Sequence, residues 1–586
     1  MRLVFDIETN GLLNTLTTIH CLAIRDLDDE TKVWDYKPDE IEQGLQHLLK
    51  ADELIGHNVI CFDIPAIQKI YPDFNPAGIK ITDTLVLSRL IAANIGQKDY
   101  AKQPDMPRRL YGSHSLKAWG YRLGEYKGDF GGDVKDWSAW SQAMHDYMIQ
   151  DTLVTHKLWY ALAPDKWSQE SIKFEHSIAQ ICHDIGTEGW SFDTEKAGQL
   201  YAKLVKEKNE LTDSLKDLFP AWDVEEEFIP RRNNKTKGYI AGEPFIKVKQ
   251  VEFNPTSRKQ IEFCLRRKYN WEPKQYNANG VATIDDQVLA ELPFPEAKQL
   301  ARMFMLSKRL GQLAEGKNAW LRLTDGNKLT HSINPNGTVT GRASHHQPNL
   351  AQVPAVRAEY GKDCRELFTV PSGYSLVGAD LSGLELRVLA SLFKDDGAYA
   401  KEILEGDIHT SNQQAMGLAT RDQAKTAIYA LIYGSGNQRL GEITGKGAAE
   451  GKRIREGFMN ANPAFASLVR AAKAAVKSRG YLIGLDGRKI YCDSDFKALN
   501  YLIQSNGALI CKKWLELINT ELNDENLDAK IVAWVHDEVQ IKTRKGVEDV
   551  VGNISRRMAR KAGEHYKIAI SIDAEYTVGG SWAATH

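Results

Sequence analysis

The chain opens on RLVFDIETNGLL, an apolar run broken by Asp6 and Glu8. Side chains two apart on a strand share a face, so the two acids stand side by side next to Val4. The β-rich runs LVFDIE, HCLAIRD, KVWDY and ELIGHN alternate with helical stretches and predict an α/β domain over residues 1–160. A charged helix, exposed on most faces, is predicted from Thr194 to Leu218. Phe219 to Val251, with its Pro, Gly, Asn and Lys, reads as a loop or small excursion between helices. From about 370 onward, YSLVGADLSGLELRVLASLF predicts strand, turn and helix. A helical region and a hairpin, IVAWVHDEVQIKT, come after it.

Bulk properties add limits. A chain of 586 residues outgrows a single core and implies several domains. Its 42% hydrophobic and 26% charged residues are ordinary for a soluble globular enzyme. No run approaches the roughly 18 apolar residues of a membrane span, and the first strand lacks a signal-peptide layout. The 7 cysteines are scattered without a CxxC pair, which argues against a zinc ribbon or disulfide framework and fits a reducing compartment. A net charge of −2 gives no sign of a nucleic-acid partner. The basic clusters RRNNKTK and CLRRKYNW read, taken singly, as solvated surface.

The paired acids gain meaning from two stretches further along the chain. GHNVICFDIPAI carries Asn58 and Asp63, and HDYMIQDTLVTHKL carries Tyr147 and Asp151, four apart on one helical face. Asp6, Glu8, Asp63 and Asp151 together offer four hard oxygen ligands, suited to Mg²⁺ or Mn²⁺. Two such ions about 3.5–4 Å apart activate water and stabilise the leaving oxygen of a phosphodiester. Tyr147 is placed to orient that water. Any one of these acids alone is more simply a surface or capping residue; the ordered set is far more specific.

A second group lies downstream. Asp380 ends the apolar strand of VGADLSGLE, and His536 and Asp537 occupy the tip of the hairpin AWVHDEVQI, with Glu538 next. Between them, in TRDQAKTAIYALIYGSG, Arg421, Lys425, Tyr429 and Tyr433 recur every four residues. They drift only about 40° per step and line one face. One reading is a surface helix with half-buried tyrosines. Another is a nucleotide site, with cations for phosphates and rings for base and sugar.

The set DxE, N-x₄-D and Y-x₃-D is the pattern of DEDDy-type 3′–5′ exonucleases. DLSGLELR, RDQAKTAIYALIYG and VHDE resemble motifs A, B and C of family A (Pol I type) DNA polymerases, in order. TVTGRASHHQPNLAQVP and LIQSNGALI resemble that family's duplex-contacting segments. DTLVLSRLI, GSHSLKAWGYRLGE, NPNGTVTGRA, GDIHT and GLDGRK narrow the likeness to the short replicative polymerases of T-seven-like podophages, across essentially the whole chain.

The resemblance implies an RNase H-like exonuclease domain over 1–165 and a right hand: linker and thumb over 166–325, palm over 326–395, fingers over 396–496, palm again over 497–586. It implies that Asp380 and Asp537, with the backbone carbonyl of Leu381, hold two Mg²⁺, with Mn²⁺ as a substitute. Arg421, Lys425 and His409 would bind the triphosphate, Lys425 also protonating the leaving pyrophosphate. Glu385 and Tyr429 would exclude a 2′-hydroxyl, and Tyr433 would shape the templating-base pocket. Arg342, Gln352, Gln504 and His536 would read the minor groove of the primer–template; His536 is equally read as a structural histidine of the hairpin. The implied partners are primer–template DNA, dNTPs, a phage helicase-primase and a single-stranded DNA-binding protein, in the cytoplasm of an infected bacterium, with no membrane. Relatives that use host thioredoxin carry a long basic thumb insertion. The far shorter bridge here weighs against that partner, although Arg231, Arg232, Lys235 and Lys237 remain to touch duplex phosphate. No 5′-nuclease domain is expected ahead of the first strand. Two rival readings are an exonuclease whose polymerase half only binds duplex, and an RNA-synthesising or primase-like enzyme. The intact motifs oppose the first, and Glu385 with Tyr429 the second.

Overall fold

The computed structural model describes residues 1–125, 137–277, 280–393, 395 and 397–586. They form two compact units, one of Met1–Ser191 with Thr330–His586 and one of Phe192–Leu329.

The first unit begins with a five-stranded sheet in the order β3-β2-β1-β4-β5. The strands are β1 (Arg2–Thr9), β2 (Ile19–Asp26), β3 (Val33–Tyr36), β4 (Glu53–Gly56) and β5 (Lys80–Asp83). β1 runs antiparallel to β2 and parallel to β4. The four predicted strands are present; β5 is additional, and KITD gives little sign of it because it carries a single strongly apolar residue, Ile81. Leu3, Phe5 and Ile7 enter a core with Leu22, Leu54 and Ile67. Val4 points the other way, into a core with Val154 and Leu158. Those two belong to α3 (Gln142–Leu162), which covers the Val4 face; α1 (Asp63–Ile70) and α2 (Thr84–Ile91) precede it. α4 (Gln169–Glu188) sends Phe174, Ile178, Cys182 and Ile185 into a large core that it shares with the second sheet.

In the second unit α5 (Thr194–Leu218) has the predicted span. Its N-terminus is capped by the Asp193 side chain, which accepts from Lys196 N at 2.9 Å. The segment expected as a loop or small excursion between helices contains an antiparallel hairpin of β6 (Trp222–Phe228) and β7 (Phe245–Val251). Five of seven residues in each strand are exposed, so no buried stripe announces the hairpin. Cross-strand partners such as Glu226 and Lys247 stabilise it, with Phe228, Tyr239 and Phe245 clustered at the far end. The usable signal is the alternation of Ile246 and Val248 with Lys247 and Lys249.

The remainder of the first unit is built on a four-stranded antiparallel sheet, β9-β10-β8-β11. These are β8 (Tyr374–Leu381), β9 (Ala529–Val535), β10 (Glu538–Arg544) and β11 (Ala574–Gly579). Val377, Val539 and Ile541 of the sheet share a core with Ile510, Trp514 and Ile518 of α9 (Ala498–Asp524). Between β8 and α9 the chain is mainly helical, including α6 (Leu384–Ser391), α7 (Ile408–Met416) and α8 (Arg421–Ile432). The strand–turn–helix and hairpin predictions therefore match the elements found. No helix among the described residues is long and apolar enough to cross a membrane.

Candidate active sites

Asp6 and Glu8 continue the Val4 face of β1, paired across the sheet with Ala23 and Cys21. α3 lies over that face and brings Asp151, one turn before Val154, onto them. One oxygen each of Asp6, Glu8 and Asp151 lies within 4.8 Å of the others. Three carboxylates at that separation repel unless a proton or cation intervenes. Their charge is felt nearby: burial and then Glu8 and Asp6 push the Cys21 thiol upward. Tyr147 sits half-buried one turn before Asp151.

Asp63 lies outside this group of three. It begins α1, is only 4% exposed, and accepts a hydrogen bond from the Ile7 N–H. Burial first, then Asp83 and Asp151, push its carboxyl up to about 7. Asp83, which sequence reasoning does not single out, organises this corner. It accepts from Asn58 N at 2.8 Å, Ile60 N at 3.2 Å and Leu85 N at 2.8 Å, so it holds the turn leading to Asp63 while capping α2. Asn58 takes a left-handed φ of 71°, which that turn requires. The available signal is an Asp immediately ahead of an apolar helical run.

A cavity of about 690 Å³ opens beside Asn58. His57, Arg89 and His114 line it together with Asn334, Asn336, Gly337, Thr338 and Val339, with no carboxylate among the described lining residues. Burial, then Arg89 and Arg122, push His114 down to about 4, so it is neutral near pH 7. Arg89 also escapes sequence reasoning, sitting as one cation in the apolar helical run TLVLSRLI.

The second group of acids is assembled by sheet register. Asp380 pairs with Glu538 on one side and Glu575 on the other. Asp537 sits in the two-residue tip between β9 and β10, where His536 has φ 59°, as tight hairpins need. The Leu381 N–H donates to the Asp537 carbonyl at 3.0 Å, tying the tip to the end of β8. A cavity of about 430 Å³ brings together Asp380, Asp537, Leu381, Glu385, Arg342, Tyr429, Tyr433 and His536. Burial, then Asp537 and Glu538, push Asp380 up to about 7; burial also raises Asp537.

Inside this cavity Glu385 is a hub, a role the motifs do not supply. Arg342 donates to it at 2.7 Å and the Tyr433 hydroxyl at 2.8 and 2.9 Å. Tyr429 stands half-buried close by, its hydroxyl raised by burial and by the charges of Glu385 and Asp537. α8 has the predicted face. A capping box of Thr420 and Gln423 starts it, Ala424, Ala427, Ile428 and Leu431 are buried, and Arg421 and Lys425 are exposed. Arg421 pairs with Asp407 at 2.9 Å, the residue that also caps α7 ahead of His409. His409 is lowered by burial, then by Arg421 and Lys425, so these three lie together. Gln504 accepts from Thr340 Oγ1 at 3.5 Å, and Gln352 is exposed at the end of a short 3₁₀ turn; neither lines the cavity.

Glu538 turns into the sheet rather than the cavity. It accepts from Gln540 at 2.6 Å, Trp582 Nε1 at 2.5 Å and His586 Nδ1 at 2.9 Å. Burial pushes its carboxyl up, but the His586 contact and these hydrogen bonds prevail and hold it low. The segment SWAATH is thus packed beneath the second acid pair.

A family model described as DNA polymerase family A matches residues 235–584. The chain is 34% identical to the DNA-directed DNA polymerases of Escherichia phage T7 and of Enterobacteria phage T3, covering 100% of this chain and of each of those proteins. It is 25% identical to DNA polymerase I of Aquifex aeolicus, over 99% of this chain and 95% of that one. Among solved structures, the POL domain of Pol1 from M. smegmatis, in complex with DNA primer-template and dNTP, shares the fold. Its TM-score is 0.75 at 18% identity, covering 99% of this chain and 96% of that one. The chain belongs to DNA polymerase family A.

Proposed function

We propose that the protein is a template-directed DNA-dependent DNA polymerase with a 3′–5′ proofreading exonuclease, replicating phage DNA in the cytoplasm of an infected bacterium. The observation that carries this reading is the convergence of Asp380 and Asp537, from distant parts of the chain, in one cavity with Glu385, Tyr429 and Tyr433. In this reading residues 1–165 are the exonuclease, 166–325 linker and thumb, 326–395 and 497–586 the palm, and 396–496 the fingers.

Hard carboxylate oxygens, buried enough to repel one another, fit Mg²⁺ at both sites, with Mn²⁺ as a substitute. Asp380, Asp537 and the Leu381 carbonyl would hold it at one site, and Asp6, Glu8, Asp151 and Asp63 at the other. Bound in pairs, such ions neutralise developing charge on the attacking and leaving oxygens. The chain's own residues do the rest. Arg421, Lys425 and His409 bind the triphosphate, and Lys425 gives a proton to the leaving pyrophosphate as the primer 3′-hydroxyl attacks the α-phosphate. Glu385 and Tyr429 pack against the sugar and exclude a 2′-hydroxyl. Tyr433 bounds the templating base. Arg342, Gln352, Gln504 and His536 donate to minor-groove acceptors present at every correct pair, which tests geometry without reading sequence. At the other site Tyr147 orients the attacking water.

The partners are primer–template DNA, dNTPs, a helicase-primase and a single-stranded DNA-binding protein; the short segment between α5 and the helix Arg258–Tyr269 argues against thioredoxin. The test is extension of a primed single-stranded template by the purified chain. Deoxynucleotides should be incorporated and ribonucleotides refused, and with nucleotides withheld the 3′ end should be trimmed. A chain that trims but never extends overturns the polymerase assignment, and one that never trims overturns the exonuclease.

A further inference from the structure

Away from both groups of acids, two opposite charges are wholly buried against each other. Glu175 of α4 and Lys512 of α9 are each 0% exposed. Lys512 Nζ donates to both Glu175 oxygens, at 2.7 and 3.0 Å, and Arg488 Nη1 reaches Glu175 at 2.6 Å. Arg488 is shared with Asp486 at 2.7 Å, so two cations face two anions. Burying four charges often adds no stability over apolar packing, whereas removing one partner of such a cluster is strongly destabilising, so each member depends on the others' positions.

The geometry fixed here belongs to one turn. Asn336 donates through Nδ2 to Glu175 at 2.7 Å and accepts through Oδ1 from Lys512 at 2.9 Å. Asn336 opens the turn that Gly337 N closes onto the Arg342 carbonyl at 3.0 Å, with Arg342 N bonded to Thr338 Oγ1 at 3.1 Å. Gly341, at φ 75°, lies over the cluster: a Cβ there would stand 3.4 Å from Arg488 Nη1 and 3.5 Å from Asn336 Oδ1. Arg342 comes next and reaches Glu385 in the cavity of Asp380 and Asp537. The same turn, through Asn336, Gly337 and Thr338, walls the cavity beside Asn58. It therefore borders both cavities, and α4, the helix carrying Glu175, also carries His176, whose Nε2 accepts from Asp83 N at 2.8 Å.

We infer that Glu175 is a positioning residue for the primer terminus: through the buried Lys512–Arg488 cluster it clamps Asn336, fixes the turn that aims Arg342, and so sets how strongly a mispaired 3′ end is refused extension. This rests on the reading that Arg342 contacts the primer–template.

The test uses the full chain carrying Asp6→Ala, so that mispaired ends are not trimmed. Extension rates are measured from matched and mismatched primer termini. Glu175→Gln, which keeps the shape and removes the charge, should lower the matched-to-mismatched ratio about fivefold, a change typical of coupled neighbours. Arg342→Ala should lower it at least as much, and the double variant no further. A general loss of folded enzyme reduces both rates together and leaves the ratio alone. Should Glu175→Gln fail to fold, Asn336→Ala leaves all four charges paired and carries the same expectation. If Arg342→Ala lowers the ratio while Glu175→Gln and Asn336→Ala do not, the positioning role is wrong and the polymerase reading stands. An effect of Glu175→Gln that persists undiminished beside Arg342→Ala overturns the route through Arg342. If Arg342→Ala itself leaves the ratio unchanged, it is the duplex-contact reading of Arg342 that falls.

Discussion

The two groups of acids are brought together by different routes. Asp6 and Glu8 are neighbours on one strand, and a single helix brings Asp151 to them. Asp380 and Asp537 meet only because β8 pairs with β10 in the right register, with a backbone hydrogen bond sealing the contact. The surroundings differ too. The cavity beside Asn58 has no carboxylate among its described lining residues, whereas the second group shares its cavity with Glu385, already engaged by Arg342 and Tyr433. The lesson is that proximity in sequence can gather acids on one strand face, whereas the second cavity draws its polar groups from many elements.

The comparison predicts separable losses, and the largest tests it most directly. Asp537→Ala should reduce primer extension about a thousandfold, the scale of losing a main charge-stabilising group, and leave trimming of single strands intact. Asp6→Ala should do the reverse. Loss of both activities in either variant would show that the two groups are not independent. A smaller effect separates the surroundings. Tyr429→Phe should raise the dideoxynucleotide level needed to stop extension by about tenfold, the scale of one hydrogen bond that its hydroxyl would make in the sugar pocket. Chain-termination titrations read this directly, and an unchanged titration would remove Tyr429 from the sugar pocket. On the other side, Asp83→Asn removes the charge that gathers Asn58, Ile60 and Leu85. It should cost about 1–3 kcal/mol in denaturant unfolding and slow trimming more than extension.

A last expectation concerns acid. Burial holds His331 and His345 near the second sheet down to about 4 and about 3, and His114 beside the first cavity down to about 4. The unfolded chain takes up these protons near 6.5, whereas the fold refuses them until well below. Stability from these groups is therefore complete above pH 6.5 and is lost as pH falls toward 4, by about 1–3 kcal/mol for each histidine. Melting curves across that window should show the decline. His331→Gln should flatten it, and a wild-type curve flat from pH 7 to 4.5 would rule the account out.

Much of this is legible in the sequence where the information is local. Period two puts Asp6 beside Glu8, and a spacing of four puts Arg421, Lys425 and Tyr429 on one face of α8. The hairpin β6–β7 escapes because neither of its faces is buried, so the usual contrast between core and solvent is missing. Asp83, Arg89 and Glu175 escape for another reason. Each is one polar residue with no distinctive spacing at the start of, or within, an ordinary helical pattern. The partners of Glu175 lie 161 and 337 residues away, and no periodicity reports that distance. The engagement of Glu385 by Tyr433 and Arg342 is likewise tertiary, although the motifs already contain the participants.

The register that joins Asp380 to Asp537 has one more outcome. Because strand pairing, not chain contiguity, holds the two acids together, their spacing does not depend on the length of the helical excursion between β8 and β9. That excursion can gain and lose segments over evolutionary time while the separation of Asp380 and Asp537 stays constant.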